Sequence, residues 1–383
     1  MSAMAGPEPF TYRGDDWQLR YAAPSDNDRL CELFRSIHLE AALDLTQERD
    51  PDFFSLLRMH GGAHETWVAE GPGGSVEGCG SLAVRPGWVS GEVRPVGYLC
   101  DLRGTPALRK GRVLPKAFRI ALEWARARHG VESFYTVVID SNALARKALT
   151  EDREHRREQP IFRPMTPFNM TSVQFVGKGR RPVRSVDFVR PTERAELVDF
   201  FRRQQELRLY GEVVDDGWLD RRLAAWPGLS LDRFVVAKSS GGRIVGCAAP
   251  YDSAPFKRTR VLGYHGSMKW LRALHDGMVT VRGGVKLPKP GECFRFEFMS
   301  HLEVGEDPSI LSDLLAFVYR AHAASNLHFL SAMIPRGSAL DGAFAGFMVT
   351  RTPMTVYGVA LRGSEMSRFD FGTPRPGFEI ALN

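Results

Sequence analysis

Residues 19–35, LRYAAPSDNDRLCELFR, open with a short alternation of apolar and polar positions. They pass a proline and end with Leu30, Leu33 and Phe34 at helical period. Residues 186–202, VDFVRPTERAELVDFFR, repeat the pattern, with Leu197, Phe200 and Phe201 on the helical face. Pro24 and Pro191 precede Ser25 and Thr192, hydroxyl residues placed to cap the following helix. Each segment therefore predicts a strand leading into a helix. WVAEGPGGSVEGC at 67–79 and VVAKSSGGRIVGC at 235–247 form a second matched pair, with Val68 and Val236 separated by 168 residues (236 − 68). Each reads as a hairpin turning at Gly-Gly. A third pair, SFYTVVIDSNALARKAL at 133–149 and HFLSAMIPRGSALDGAF at 328–344, is separated by 195 residues (328 − 133).

Three echoes in order predict one unit written twice. The spacing grows by 27 residues (195 − 168) after the hairpin, and the irregular stretch 274–292 is expected to hold the insertion. In the first copy the pattern predicts a long strand at 92–103, a helix at 112–129 and a strand at 133–139. The second copy has them at 293–304, 308–324 and 327–334. Residues 161–175 read as the closing strands of the first copy, and the boundary falls in 177–185. The expected class is α/β, in the α+β sense: mixed, mostly antiparallel sheets flanked by helices. The expected divisions are an extension at 1–16, a first domain at 17–180 and a second at 181–383.

Composition narrows the setting. Hydrophobic content of 43% and charged content of 25% are ordinary for a globular protein. No signal peptide and no bilayer-length apolar run are read from the chain. The five cysteines are scattered, without a C-x-x-C pair, and read as free thiols in a reducing cytoplasm rather than as zinc ligands. The net charge of +6 rests on 51 basic residues, 42 of them arginine. That balance suits a polyanionic small ligand, and no nucleic-acid or membrane partner is expected.

Residues 97–130, GYLCDLRGTPALRKGRVLPKAFRIALEWARARHG, carry the chemistry. A long strand runs into a loop with Arg109, Lys110 and Arg112 around Gly111, and a helix starts at once. Helix starts present unpaired N–H groups and a partial positive charge, so this arrangement is a cradle for pyrophosphate. In the second copy the corresponding residues are VGEDPS, 304–309. Glu306 and Asp307 repel phosphate, so only the first copy is expected to bind one.

DLRGTPALRKGRVL resembles the acetyl-CoA-binding motif of the GNAT N-acetyltransferase superfamily: after a proline, an Arg or Gln, two residues, Gly, one residue, then Gly or Ala. Pro106 and Arg109 match. The motif's glycine positions hold Arg112 and Leu114, and Gly111 stands one place early. Asn142 and Ala145 match an Asn and Ala that lie near the pantetheine arm in that superfamily. Where the family often has a tyrosine, as acid to the leaving thiolate, this chain has Ala148 and Leu149.

The resemblance implies two tandem GNAT-like domains, the second degenerate, with acetyl-CoA or a related acyl-CoA bound in the first. Cys100, Leu102 and Arg103 would follow the thioester, with a backbone N–H of that strand as oxyanion donor. Arg109, Lys110, Gly111, Arg112, Val113 and Leu114 would hold the pyrophosphate, with Asn142 beside the pantetheine. A primary amine of a small molecule or peptide attacks directly. Asp101 is the first candidate base and Glu40 the second. Two other readings stand beside this one. One is a longer acyl chain, carried by CoA or by an acyl carrier protein docked on the basic patch. The other is a non-catalytic acyl-CoA-binding regulator, consistent with the missing tyrosine.

Cys100 reads as a buried thiol, and Tyr98 and Tyr135 as strand packing. His60, His64 and Glu65 in HGGAHE read as loop residues rather than metal ligands. His301 and Glu303, near the end of the second long strand, are placed to face the first copy's pocket.

Overall fold

The two Gly-Gly segments fold as the same hairpin. Val68 faces Cys79, Val236 faces Cys247, and both ladders shift register at the next step, Ala69/Glu70 and Ala237/Lys238. Gly74 and Gly242 turn at φ of +79° and +80°, a left-handed conformation that favours glycine. The computed structural model describes residues 11–14, 17–38, 42–110, 113–150, 159–371 and 375–382.

In chain order the strands are β1 Thr11–Gly14, β2 Trp17–Tyr21, β3 Leu43–Glu48, β4 Ala63–Glu70, β5 Val76–Val89, β6 Glu92–Gly104, β7 Ser133–Ile139 and β8 Ile161–Gln174. The second half supplies β9 Val186–Phe188, β10 Val235–Lys238, β11 Ile244–Tyr251, β12 Arg258–Tyr264, β13 Phe296–Glu303, β14 Phe329–Pro335 and β15 Val349–Ala360. Among the described residues β6–β7 and β13–β14 are the parallel pairs, and the other pairings are antiparallel. This is the mixed, mostly antiparallel sheet the pattern predicts. The helices Val113–His129 and Pro308–His322 bridge the two parallel pairs, as parallel strands require.

Two expectations are corrected. The strand 161–174 does not close a separate first sheet. β15 from the second half lies between β7 and β8, and β8 in turn pairs with β14. The final long strand of each half thus lies against the other half's parallel pair. One sheet of thirteen strands results, ordered β1-β2-β4-β5-β6-β7-β15-β8-β14-β13-β11-β10-β9. Proximity in sequence misleads here because a long strand joins whichever edge offers the fuller register, and β15 matches β8 from Val349–Val173 to Ala360–Ile161.

The insertion is also not irregular throughout, since Ser267–Arg282 is a helix. A lone helical glycine such as Gly277 costs only about 1 kcal/mol. The helix also exposes Trp270, Leu271 and Leu274, so its periodicity did not advertise a buried face.

The helices cover the sheet with apolar stripes. Ala117, Ala121, Leu122 and Ala125 pack on Leu82, Leu99 and Phe134 in the first half. Ile310, Leu311, Leu314 and Val318 pack on Val235, Met299 and Leu330 in the second. A third apolar cluster crosses between halves, joining Met59, Tyr98 and Tyr135 to Leu197, Trp226 and Phe234. The buried Trp226 Nε1 donates to the Met59 carbonyl at 2.9 Å. Finally β3 and β12, one from each half, pair as a separate two-stranded ribbon.

Candidate functional site: a cleft at a bulged strand

β6 and β7 pair in parallel from Val96–Ser133 to Leu99–Thr136 and then separate. The Thr136 hydroxyl donates to the Leu99 carbonyl at 2.8 Å, which closes the last rung. On the other side of β6 the register passes from Ser81–Cys100 to Cys79–Arg103, so Asp101 and Leu102 have no partner on β5. Asp101 takes φ of +55°, a conformation uncommon outside glycine. This bulge re-aims the strand and opens a cleft of about 220 Å³. Cys100, Asp101, Leu102, Arg103 and Asn142 all line it. The Asn142 side chain accepts from the Ala145 N–H at 3.0 Å, capping the turn that follows β7.

The other predicted site residues are placed less fully. Arg109 and Lys110 end a short helix, Pro106–Lys110, where the sequence suggests a loop, and Val113 and Leu114 begin the helix Val113–His129. The side chains of Arg109, Lys110, Val113 and Leu114 lie outside the described residues, as do Gly111, Arg112 and Glu40.

Asp101 is buried and ion-paired with Arg49, each side chain being 3% exposed. Arg49 follows β3, and sequence reasoning missed it because no local motif marks it. The signal was a lone arginine ending an alternating strand. Lys257, also missed, immediately precedes β12 and is buried against the same cleft. Burial pushes its ammonium down to about 7. Burial pushes the Cys100 and Cys79 thiols up. The Cys79 thiol donates to the Asp101 carbonyl at 3.3 Å, so it supports the bulge and is not a free nucleophile.

The second half builds the same bulge and then fills it. His301 takes φ of +52°, and the register jumps from Ala249–Ser300 to Cys247–Glu303. Here the segment 375–382 occupies the cleft: Phe378, Glu379, Ile380 and Leu382 line a remnant of about 60 Å³. Glu379 accepts from the His301 N–H at 2.7 Å, taking a backbone donor of the bulge. Burial pushes the Glu379 carboxyl up to about 7 and the His301 imidazole down to about 3. The following helix begins at Pro308 directly after Asp307, whose side chain accepts from the Ser309 N–H at 2.8 Å. Arg184 pairs with that carboxylate at 3.1 Å. The helix N-terminus thus carries its own anion.

Two further readings are corrected. His301 and Glu303 do not face the first cleft. The His301 ring lies among Phe201, Trp218, Trp226 and Phe234, and Glu303 pairs with Arg208 and Gln205. Positive φ at His301 turns its side chain away from the simple strand alternation. His64 and Glu65 lie on β4 rather than in a loop, and Glu65 contacts His129 at 2.8 Å. Tyr98 and Tyr135 pack as expected, their rings 5.0 Å apart.

A large mixed sheet flanked by helices, with a strand bulged where its parallel neighbour splays away, is a fold shared with solved GCN5-related N-acetyltransferase structures. Solved structures agree. Saccharomyces cerevisiae N-myristoyltransferase with bound myristoyl-CoA superposes with a TM-score of 0.61, over 93% of this chain and 81% of that one, at 9% identity. A GCN5-related N-acetyltransferase from Sphaerobacter thermophilus gives 0.54, over 97% and 99%, at 12% identity. A GCN5-related glucosamine N-acetyltransferase region of a fungal multi-domain GH3 beta-N-acetylglucosaminidase gives 0.57, over 91% and 38%, at 13% identity. No protein-family model matches the sequence, and no curated protein matches it. The likeness is one of fold. No helix among the described residues is long and apolar enough to cross a membrane.

Proposed function

We propose that this protein is an acyl-CoA-dependent N-acyltransferase, using acetyl-CoA or a related acyl-CoA in the cleft of the first half. One observation carries this reading: of two equivalent bulged clefts, the first is open and the second is filled by the chain itself. The residues present fit an acyl-CoA. An apolar wall of Leu99, Phe118 and Phe162 meets a strand whose bulge leaves residues 101 and 102 unpaired on β5. A helix starting at Val113 and Leu114 follows, with Arg109, Lys110, Gly111 and Arg112 just before it in sequence, a combination suited to pyrophosphate.

The acyl-CoA supplies an activated carbonyl carbon. The backbone at Cys100, Leu102 and Arg103 orients it, with the bulge N–H groups as oxyanion donors. Asn142 holds the turn beside the pantetheine. A primary amine of a small molecule or peptide attacks that carbon, the carbon–sulfur bond breaks, and the thiolate leaves as CoA. Asp101 takes the proton the amine must lose, with Glu40 the second candidate. We read the two halves as copies of one unit, the second keeping the fold without a cofactor site, and the protein as cytoplasmic.

Calorimetric titration with acetyl-CoA tests the reading. One site per chain is expected, abolished by Arg109→Glu with Arg112→Glu. Two equal sites, or none, would overturn it. The apolar lining of Trp67, Phe118 and Phe162 favours a second reading in which the acyl chain is longer, delivered by CoA or an acyl carrier protein. Thiol release across acyl-CoA chain lengths separates the two. Binding without turnover across an amine panel would instead indicate a regulatory acyl-CoA-binding protein.

A further inference from the structure

Among its described lining residues, the bulge end of the first cleft carries more positive charge than negative. Three cationic side chains line it: Arg49, Arg103 and Lys257. Asp101 is the only acidic residue among the described residues lining the cleft. Three of the four are withdrawn from solvent. Arg49 and Asp101 are each 3% exposed in their side chains, and Lys257 is 8% exposed. Burial holds the Arg103 guanidinium below its ordinary range. Removing charge from water costs several kcal/mol per ion unless it is matched. One carboxylate against two guanidinium groups leaves the positive side in excess.

The hydrogen bonding locates that excess. Arg49 commits Nη2 to Asp101, while its buried Nε and Nη1 have no hydrogen-bond partner among the described residues. Buried donors are satisfied in the great majority of cases, so two on one guanidinium mark a place for an acceptor. Arg103 donates to neutral oxygens alone, Gln47 Oε1 at 2.9 Å and the Leu102 carbonyl at 3.3 Å, and forms no ion pair among the described residues. Both guanidinium groups are held by one ring: Arg103 lies 4.8 Å and Arg49 5.4 Å from the centroid of Phe34. Such stacking fixes planar cations at a wall before a ligand arrives.

The fold brings these residues together from distant parts of the chain. In the ribbon of β3 and β12, Glu48 is opposite Arg258. One step further along the same antiparallel register, Arg49 and Lys257 stand at the end of the ribbon nearest the bulge. The second half therefore completes the first half's cleft with a lysine. The pyrophosphate of an acyl-CoA does not account for the site, because its cradle is the helix N-terminus beyond residue 110 rather than the bulge.

We propose that the cleft accepts a carboxylate-bearing group at its thioester end, received by Arg49 with Arg103 and Lys257. This rests on the acyl-CoA reading above and specifies the substrate class for it. The carboxylate has two possible sources of the same chemistry. It belongs to the acceptor, as in an α-amino acid whose ammonium meets Asp101, or to the acyl group, as in the half-thioester of a dicarboxylic acid.

Calorimetry and thiol release distinguish these sources. The acceptor arm compares free amino acids with their amides, using acetyl-CoA as donor. The acyl arm compares succinyl-CoA with butyryl-CoA. In one arm the carboxylate form is expected to win by at least about tenfold in affinity or kcat/KM, because a site built for a polar group rejects the analogue lacking it. Arg49→Gln should erase that preference. Because it also leaves Asp101 without its partner, Lys257→Met is the second variant, and it keeps the Arg49–Asp101 pair while reducing the preference. Acetyl-CoA binding with no carboxylate preference in either arm overturns the inference and leaves the acyltransferase reading standing. A preference that survives both substitutions also overturns it. Failure of wild type to bind any acyl-CoA removes the reading and the inference together.

Discussion

Asp101 and His301 occupy equivalent places in the two halves. Each is the positive-φ residue of a bulge on the long strand, each follows the last residue of a regular antiparallel register, and each is buried. One bulge faces an open cleft and carries a carboxylate. The other is closed by Glu379 and lined with aromatic rings. The same backbone device thus serves a site in one half and a packed core in the other.

The filling of the second cleft is expected to be structural. Ile380→Ala should lower stability by about 2–4 kcal/mol, the usual cost of such a truncation at a buried site. It should not create a second acyl-CoA site, because Asp307 still caps the helix N-terminus. Urea denaturation and titration stoichiometry check the two halves of this statement.

Glu379 should leave a pH signature. Its folded value of about 7 lies above the ordinary carboxylate value, so the native state holds the proton more tightly than the unfolded chain. Its contribution is therefore complete below about pH 4.5 and lost as pH rises through about 7. Glu379→Gln cannot titrate. The stability of wild type relative to this variant should rise as pH falls from 7 to 4.5, by up to about 1.4 kcal/mol per pH unit. Urea midpoints across that range measure it, and a difference independent of pH would contradict the burial argument.

No acyl-enzyme is expected on Cys100. Desolvation pushes its thiol well up, and the thiolate is the nucleophilic form. Cys100→Ala should retain turnover, and rapid mixing should show no burst of thiol release. In the native protein the buried Cys31, Cys79 and Cys247 should react slowly with a thiol reagent, while the half-buried Cys293 reacts faster.

The exchanged strands predict that neither half stands alone. A fragment of residues 17–180 lacks β15, which lies between its own β7 and β8. It is expected to aggregate through those unpaired edges, and co-expression with residues 181–383 should restore a soluble, folded pair. Size-exclusion chromatography and circular dichroism of the fragments, singly and together, check this.

Much of the fold was legible because it is written locally. The hairpins at Gly74 and Gly242, the strand Ser133–Ile139 and the helix starting at Pro308 each follow from periodicity and turn chemistry within a short window. The contrast in charge between residues 109–112 and residues 304–309 is a property of the sequence alone. The path of β8 was not, since nothing within Ile161–Gln174 says which edge it meets. The tail at 375–382 was not, because its fit depends on a cleft made by residues around 301.

The sequence by itself determined most of the elements, their order and the long strand that carries Asp101, since these depend on neighbours a few residues away. Only the tertiary structure decided which cleft stays open and what surrounds Asp101. Arg49 and Lys257 stand some 200 residues apart (257 − 49 = 208), and the pairing of β3 with β12 sets them at one end of one ribbon. Their meaning is collective. A buried charge is defined by what else is buried with it, and the chain brings that company together only when it folds.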